Sequence, residues 1–133
     1  MVCIYCGQPT KVTNSRLQKK ANQVWRRRQC TVCGAVFTTL EGVDTAQALR
    51  VRKNGAYKPF QRDMLLLSVY DSLRHRKTAS EDATALTATI MGRLLPKIRE
   101  AALERDDIVS SSAEVLGRFD KAAATHYSAF HPL

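Results

Sequence analysis

The sequence predicts an α+β fold in two parts: a three-stranded, cysteine-pinned ribbon over residues 1–46 and a mainly helical domain over residues 47–133 that opens with a β hairpin. Three observations predict it. The chain's four cysteines form two equal pairs near its start, Cys3-x2-Cys6 and Cys30-x2-Cys33. Short stretches of alternating β-branched and polar residues lie between and just after the pairs. Beyond residue 60 the apolar residues recur at helical spacing instead.

A Cys-x-x-Cys turn aims two thiolates at one point, and two such turns close a tetrahedron around zinc. Two disulfides or a redox pair are the competing readings, but a redox Cys-x-x-Cys needs a βαβ context that is absent here. Residues 1–46 are also too few to bury a core of their own, so a metal has a structural job to do. The expectation is one zinc per chain on Cys3, Cys6, Cys30 and Cys33. Four thiolates leave no open coordination position, which makes the metal structural.

Lys11–Leu17 reads as the first ribbon strand, Gln18–Gln23 as a polar turn, Val24–Gln29 as the return strand and Ala35–Leu40 as the third. The middle strand contains Trp25-Arg26-Arg27-Arg28. Alternation sends Arg26 and Arg28 to one face and Trp25 and Arg27 to the other. Three consecutive arginines repel one another unless an anion neutralises them.

Glu41–Gln47 reads as a linker. Ala48–Arg52 and Ala56–Lys58 form a hairpin around Lys53-Asn54-Gly55, because Asn-Gly tolerates positive φ at both turn positions. Pro59-Phe60 breaks the second strand and leads into a helix over 61–75, whose apolar residues cover more than one face and suit a central position or an oligomer contact. Thr78-x-x-Glu81 has the capping-box pattern for a second helix through Ala83, Leu86, Ile90 and Leu94, closed by Pro96. A third helix spans Asp106–Arg118, and Asp120 caps a fourth through Ala123, Tyr127 and Phe130.

The formal charge is +9, with 21 basic and 12 acidic residues. Residues 1–46 hold +5 of it and the longer remainder +4, so the ribbon is the more basic part per residue. That favours a polyanion as partner, nucleic acid ahead of an acidic membrane. The longest apolar run, Met64–Leu67, is far too short to span a bilayer. Paired cysteines without a secretory signal suit a reduced, cytoplasmic protein. No phosphate loop, catalytic His grouping or open metal site stands out, and an enzyme is not expected. Asp106-Asp107 reads as helix N-terminal charge. Taken alone, Arg50, Arg52, Lys53, Lys58, Arg76 and Lys77 read as an ordinary solvated surface.

Thr10–Leu17, Val24–Cys30 and Phe37–Glu41 together resemble the NrdR family, bacterial repressors of ribonucleotide reductase genes. More loosely, Val51, Gly55, Pro59-Phe60, Leu65, Leu73, Arg76 and Asp120-Lys121 resemble an ATP-cone, a regulatory domain that binds ATP or dATP. The resemblance implies that the ribbon contacts double-stranded DNA through Lys11, Arg16, Arg26, Arg27 and Arg28. It also implies an adenine nucleotide beside Val51, Arg52, Lys53, Asn54, Gly55, Phe60 and Arg76, and a homo-oligomer whose state the nucleotide changes. The cone pattern is not complete: a lysine usual early in its first helix is Met64 here, and the usual Tyr-x-Arg-Phe stands as Ala124-Thr125-His126-Tyr127. The alternative is a zinc-ribbon assembly module with a degenerate, nucleotide-insensitive cone that binds protein rather than DNA.

Overall fold

In the computed structural model, which describes residues 1–133, the ribbon runs Thr10–Gln18 (β1), Gln23–Cys30 (β2) and Val36–Gly42 (β3), antiparallel in the order β1-β2-β3. A 3-10 turn, Lys19–Ala21, joins β1 to β2, and Asn22 closes it in the left-handed region at φ 48°. The pairing slips between Val12 and Asn14, so Thr13 is an extra residue in β1. Cys3 and Cys30 are the only buried residues among the first 43. A three-stranded sheet with no apolar core cannot hold itself together by burial, and cross-linking at the cysteines has to substitute.

Residues Met1–Val43 and Asp44–Leu133 form two compact units. The stretch read as a linker is therefore partly structured: its first residues end β3, and Asp44 caps a single helical turn, Thr45–Ala48 (α1), by accepting from the Ala46 N–H at 3.2 Å. The hairpin follows as expected, with Arg50–Lys53 (β4) and Ala56–Pro59 (β5) paired from Arg50↔Pro59 to Lys53↔Ala56. Asn54 and Gly55 both take positive φ, 51° and 77°, as a two-residue hairpin turn demands.

Four helices complete the unit: Arg62–Leu73 (α2), Ala79–Leu94 (α3), Arg105–Phe119 (α4) and Lys121–Phe130 (α5). Ala102–Glu104 (β6), which the sequence reading missed, lies parallel to β4 in a sheet ordered β5-β4-β6. Three residues are too few to show strand periodicity. The expected capping box at Thr78 does not form. The Thr78 hydroxyl donates to the Asp82 carboxylate at 2.7 Å instead, and no side chain caps α3. Asp120 does cap α5, accepting from the Ala123 N–H at 3.0 Å.

The core gathers Leu65, Val69 and Leu73 from α2 with Ile90 and Leu94 from α3, Leu103 from β6, Leu116 from α4 and Tyr127 from α5. α2 is central, as its apolar content suggested, yet Met64 and Leu67 on its outer side stay more than half exposed.

Candidate metal centre and nucleic-acid interface

The two cysteine turns are built alike. Cys3 N–H donates to the Gln8 carbonyl at 2.8 Å, and Cys30 N–H to the Ala35 carbonyl at 2.9 Å, five residues on in each case. Gly7 and Gly34 follow the second cysteine of each turn at φ 72° and 71°, where a side chain would be strained. The four sulfurs lie within 4.8 Å of one another. Cys3 and Cys33 Sγ are 3.7 Å apart and Cys6 and Cys30 Sγ 3.5 Å. Four thiolates around zinc at 2.3 Å would be separated by about 3.8 Å along a tetrahedron's edge, so the donor set and spacing fit that ion.

The backbone prepares these sulfurs for negative charge. The N–H groups of Cys33 and Val32 both point at Cys30 Sγ, each at 3.4 Å, and hold its thiol down to about 6. At Cys6 the Gln8 N–H favours the thiolate, but the neighbouring Cys30 sulfur opposes it and the thiol is pushed up to about 12. Ionising Cys6 beside the Cys30 sulfur at neutral pH needs a cation between them.

The ribbon's basic residues divide between two faces. Register places Lys11 opposite Gln29, Asn14 opposite Arg27 and Arg16 opposite Trp25, which puts Lys11, Asn14, Arg16 and Arg27 on one side of the sheet. Arg26 and Arg28 occupy the other side. There Arg26 pairs with Glu41 at 3.1 Å, and Arg28 donates to the hydroxyls of Thr39 at 3.3 Å and Thr10 at 3.4 Å. Tyr5, from the first cysteine turn, meets the Phe37 ring edge-on at 6.5 Å between centroids. Arg27, Lys11 and Arg16 are exposed.

In the second unit, Val51, Lys53, Ala56, Lys58 and Arg105 line a cavity of about 300 Å³. A neighbouring one of about 200 Å³ shares Val51 and Arg105 and adds Phe60, Met64, Ile108, Tyr127 and His131. His131 stacks on Tyr127 at 4.3 Å, and burial, Arg105 and His126 lower its pKa, so the ring is neutral at neutral pH. Lys53, Lys58 and Arg105 thus face one concavity whose continuation is apolar and aromatic, a shape suited to an anion joined to a flat ring.

Residues 1–41 match the family described as "Transcriptional repressor NrdR-like, N-terminal domain". The proteins named "Transcriptional repressor NrdR" from Brucella ovis and Brucella canis are each 33% identical to this chain over 132 residues, covering 98% of it and 83% of theirs. The chain belongs to the NrdR family.

For an NrdR-family chain, the residues expected to meet a nucleotide are spread over four environments. Val51, Lys53 and Phe60 line the paired cavities, and Asn54 and Gly55 form the hairpin turn between β4 and β5. Arg52 alternates to the opposite face of β4, where its guanidinium is ion-paired with Glu104 and raised in pKa by that carboxylate and Tyr57. Arg76 donates to Asp82 at 2.9 Å and Asp120 at 3.2 Å and lies 4.6 Å from the Phe119 ring centroid, and those partners line neither cavity. Sequence reasoning missed Arg105. Its position was the available signal: it is the first residue of α4, where the helix dipole disfavours a cation, and it lines both cavities while its guanidinium lies 3.4 Å from the adjacent Asp106 carboxylate.

Proposed function

We propose that this NrdR-family repressor binds double-stranded DNA, at ribonucleotide reductase genes, through its ribbon and is regulated by ATP or dATP through its second unit. The carrying observation is the ribbon face of Lys11, Arg16 and Arg27, which holds cations and no carboxylate. Cys3, Cys6, Cys30 and Cys33 would hold one zinc, which supplies the cross-links that a ribbon without an apolar core lacks. With the metal in place, the strands hold their basic side chains at fixed spacing for a phosphate backbone.

In the second unit Lys53, Lys58 and Arg105 receive the phosphates of an adenine nucleotide, and the apolar cavity beside Phe60 and Tyr127 receives the base. The nucleotide changes the homo-oligomer that presents the ribbons, and several ribbons on repeated sites gain affinity through linkage. The exposed Met64 and Leu67 of α2 suit such self-association. The setting is the cytoplasm.

A second reading keeps the ribbon as an assembly module that binds protein and makes the cone insensitive to nucleotide. It is favoured by one observation: Arg52 and Arg76 are already occupied by carboxylates. The experiment is to measure duplex binding and solution mass of the zinc-loaded full chain without nucleotide, with ATP and with dATP. Under the proposal the duplex binds, and at least one nucleotide shifts both affinity and mass. Absence of duplex binding, with mass unchanged by either nucleotide, supports the second reading.

A further inference from the structure

We propose that the ribbon reads DNA with one face only, that of Lys11, Asn14, Arg16 and Arg27, and that the extra residue at Thr13 is what assembles this face. The inference rests on the DNA-binding reading above and assigns the consecutive arginines to separate tasks. In a regular strand, residues five apart point to opposite faces, so Lys11 and Arg16 would be divided by the sheet. The bulge adds one residue between Val12 and Asn14 and reverses the alternation after it. Lys11, Asn14 and Arg16 then stand opposite Gln29, Arg27 and Trp25, three alternate residues of β2, and share their face. The Thr13 hydroxyl donates to the Arg27 carbonyl at 3.3 Å, tying the bulge to the residue it serves.

The chemistry of this face suits base edges. Arginine pairs bidentately with guanine, asparagine with adenine, and lysine takes phosphate. β1 is an edge strand and is exposed along nearly its whole length, so the β1–β2 ribbon presents no covering element on this side within its own unit. From Lys11 to Arg16 the bulged strand covers roughly 13 Å, about four base steps, within the reach of a two-stranded ribbon in a major groove. The opposite face is chemically different. Glu41, the only acidic residue of the first 43, lies there against Arg26, and Arg28 is spent across three strands on Thr39 and Thr10. A carboxylate on a reading face would repel the phosphates beside it.

The test starts by enriching a duplex from a random-sequence pool with the zinc-loaded full chain. The enriched duplex is then titrated with the variants R27A, R27K, R16A, R26A and R28A, each checked for zinc content and ribbon fold. R27A and R16A are expected to weaken binding about ten- to a hundredfold. R27K, which keeps the charge and the fold but loses bidentate geometry, is expected to erase the preference for the enriched sequence over a scrambled one. R26A and R28A are expected to change affinity less than about threefold at equal zinc content, and where R28A loses zinc, R28K provides the comparison. Wild-type affinity in R27A and R27K, or a tenfold loss in a folded R26A or R28K, overturns the assignment while leaving DNA binding intact. Failure of the wild-type chain to enrich any duplex overturns the DNA-binding reading itself and this inference with it.

Discussion

At the junction of α4 and α5, the Asp120 carboxylate accepts from the Ala123 N–H at 3.0 Å, lies 2.9 Å from His75 Nε2 and meets Arg76 Nη1 at 3.2 Å. Together these donors hold its pKa down to about 2, the capping N–H first and His75 next. A carboxylate depressed in the folded state adds stability above its ordinary pKa near 4 and loses that contribution as pH falls through the folded value. The second unit is therefore expected to weaken between about pH 4 and pH 2. Asp120→Asn should be less stable than wild type at pH 6 and should converge on it across that window, as read from denaturant midpoints. A constant gap from pH 6 to pH 2 would show that the charge at 120 contributes nothing. Residue-scale roles were only partly legible in the sequence. The helix cap at Asp120 was, because Asp before an apolar periodic run is a local signal. The occupation of Arg76 by Asp82 and Asp120 was not, because those contacts are made in the tertiary fold. The company of Lys11 and Arg16 was hidden for a related reason: a bulge is a property of pairing and leaves no composition mark at Thr13.

Among the elements, the ribbon and the helical unit draw on different sources of stability. The ribbon buries only Cys3 and Cys30, whereas the second unit packs a continuous apolar core through Leu73, Ile90, Leu94 and Leu116. A structural zinc on four cysteines is worth about 10–16 kcal/mol of apparent free energy at neutral pH. Chelation is accordingly expected to unfold residues 1–43 while the helical far-ultraviolet signal of the second unit persists, and Cys6→Ser should do the same without a chelator. Amide spectra that keep the ribbon's dispersed strand resonances after metal removal would contradict this. Conversely, Leu73→Ala, which opens a cavity in the core, should lower the second unit's stability by about 2–5 kcal/mol and leave the metal affinity of the ribbon unchanged. The ribbon strands, the Asn54-Gly55 hairpin and the four helices were legible because each has local chemistry: paired cysteines, turn residues and periodic apolar positions. β6 was not, since its three residues join the sheet only through parallel pairing with β4. The Thr78 capping pattern misled because Asp82, one turn on, competes for the hydroxyl.

At the scale of the whole molecule, family membership spans nearly the full chain, while the two units carry separate chemistries. One places exposed cations on one face of a sheet whose end carries a four-cysteine cluster. The other places Lys53, Lys58 and Arg105 at a cavity whose floor is apolar. The pocket proposed for a nucleotide was only half visible in the sequence, because Arg105 arrives from α4, far along the chain from the hairpin it faces. The face proposed to meet DNA was more visible, since its cations lie close together in sequence and only their division between faces needed the fold. The most direct test of the central claim, a metal-organised ribbon that binds DNA by charge, is the affinity of the zinc-loaded full chain for a labelled duplex at 50 and 200 mM salt. With Lys11 of each of two ribbons on a phosphate, binding should release about two counterions, and affinity should fall by about tenfold between the two conditions. No binding by the zinc-loaded protein, or equal affinity at both salt concentrations, would contradict the claim.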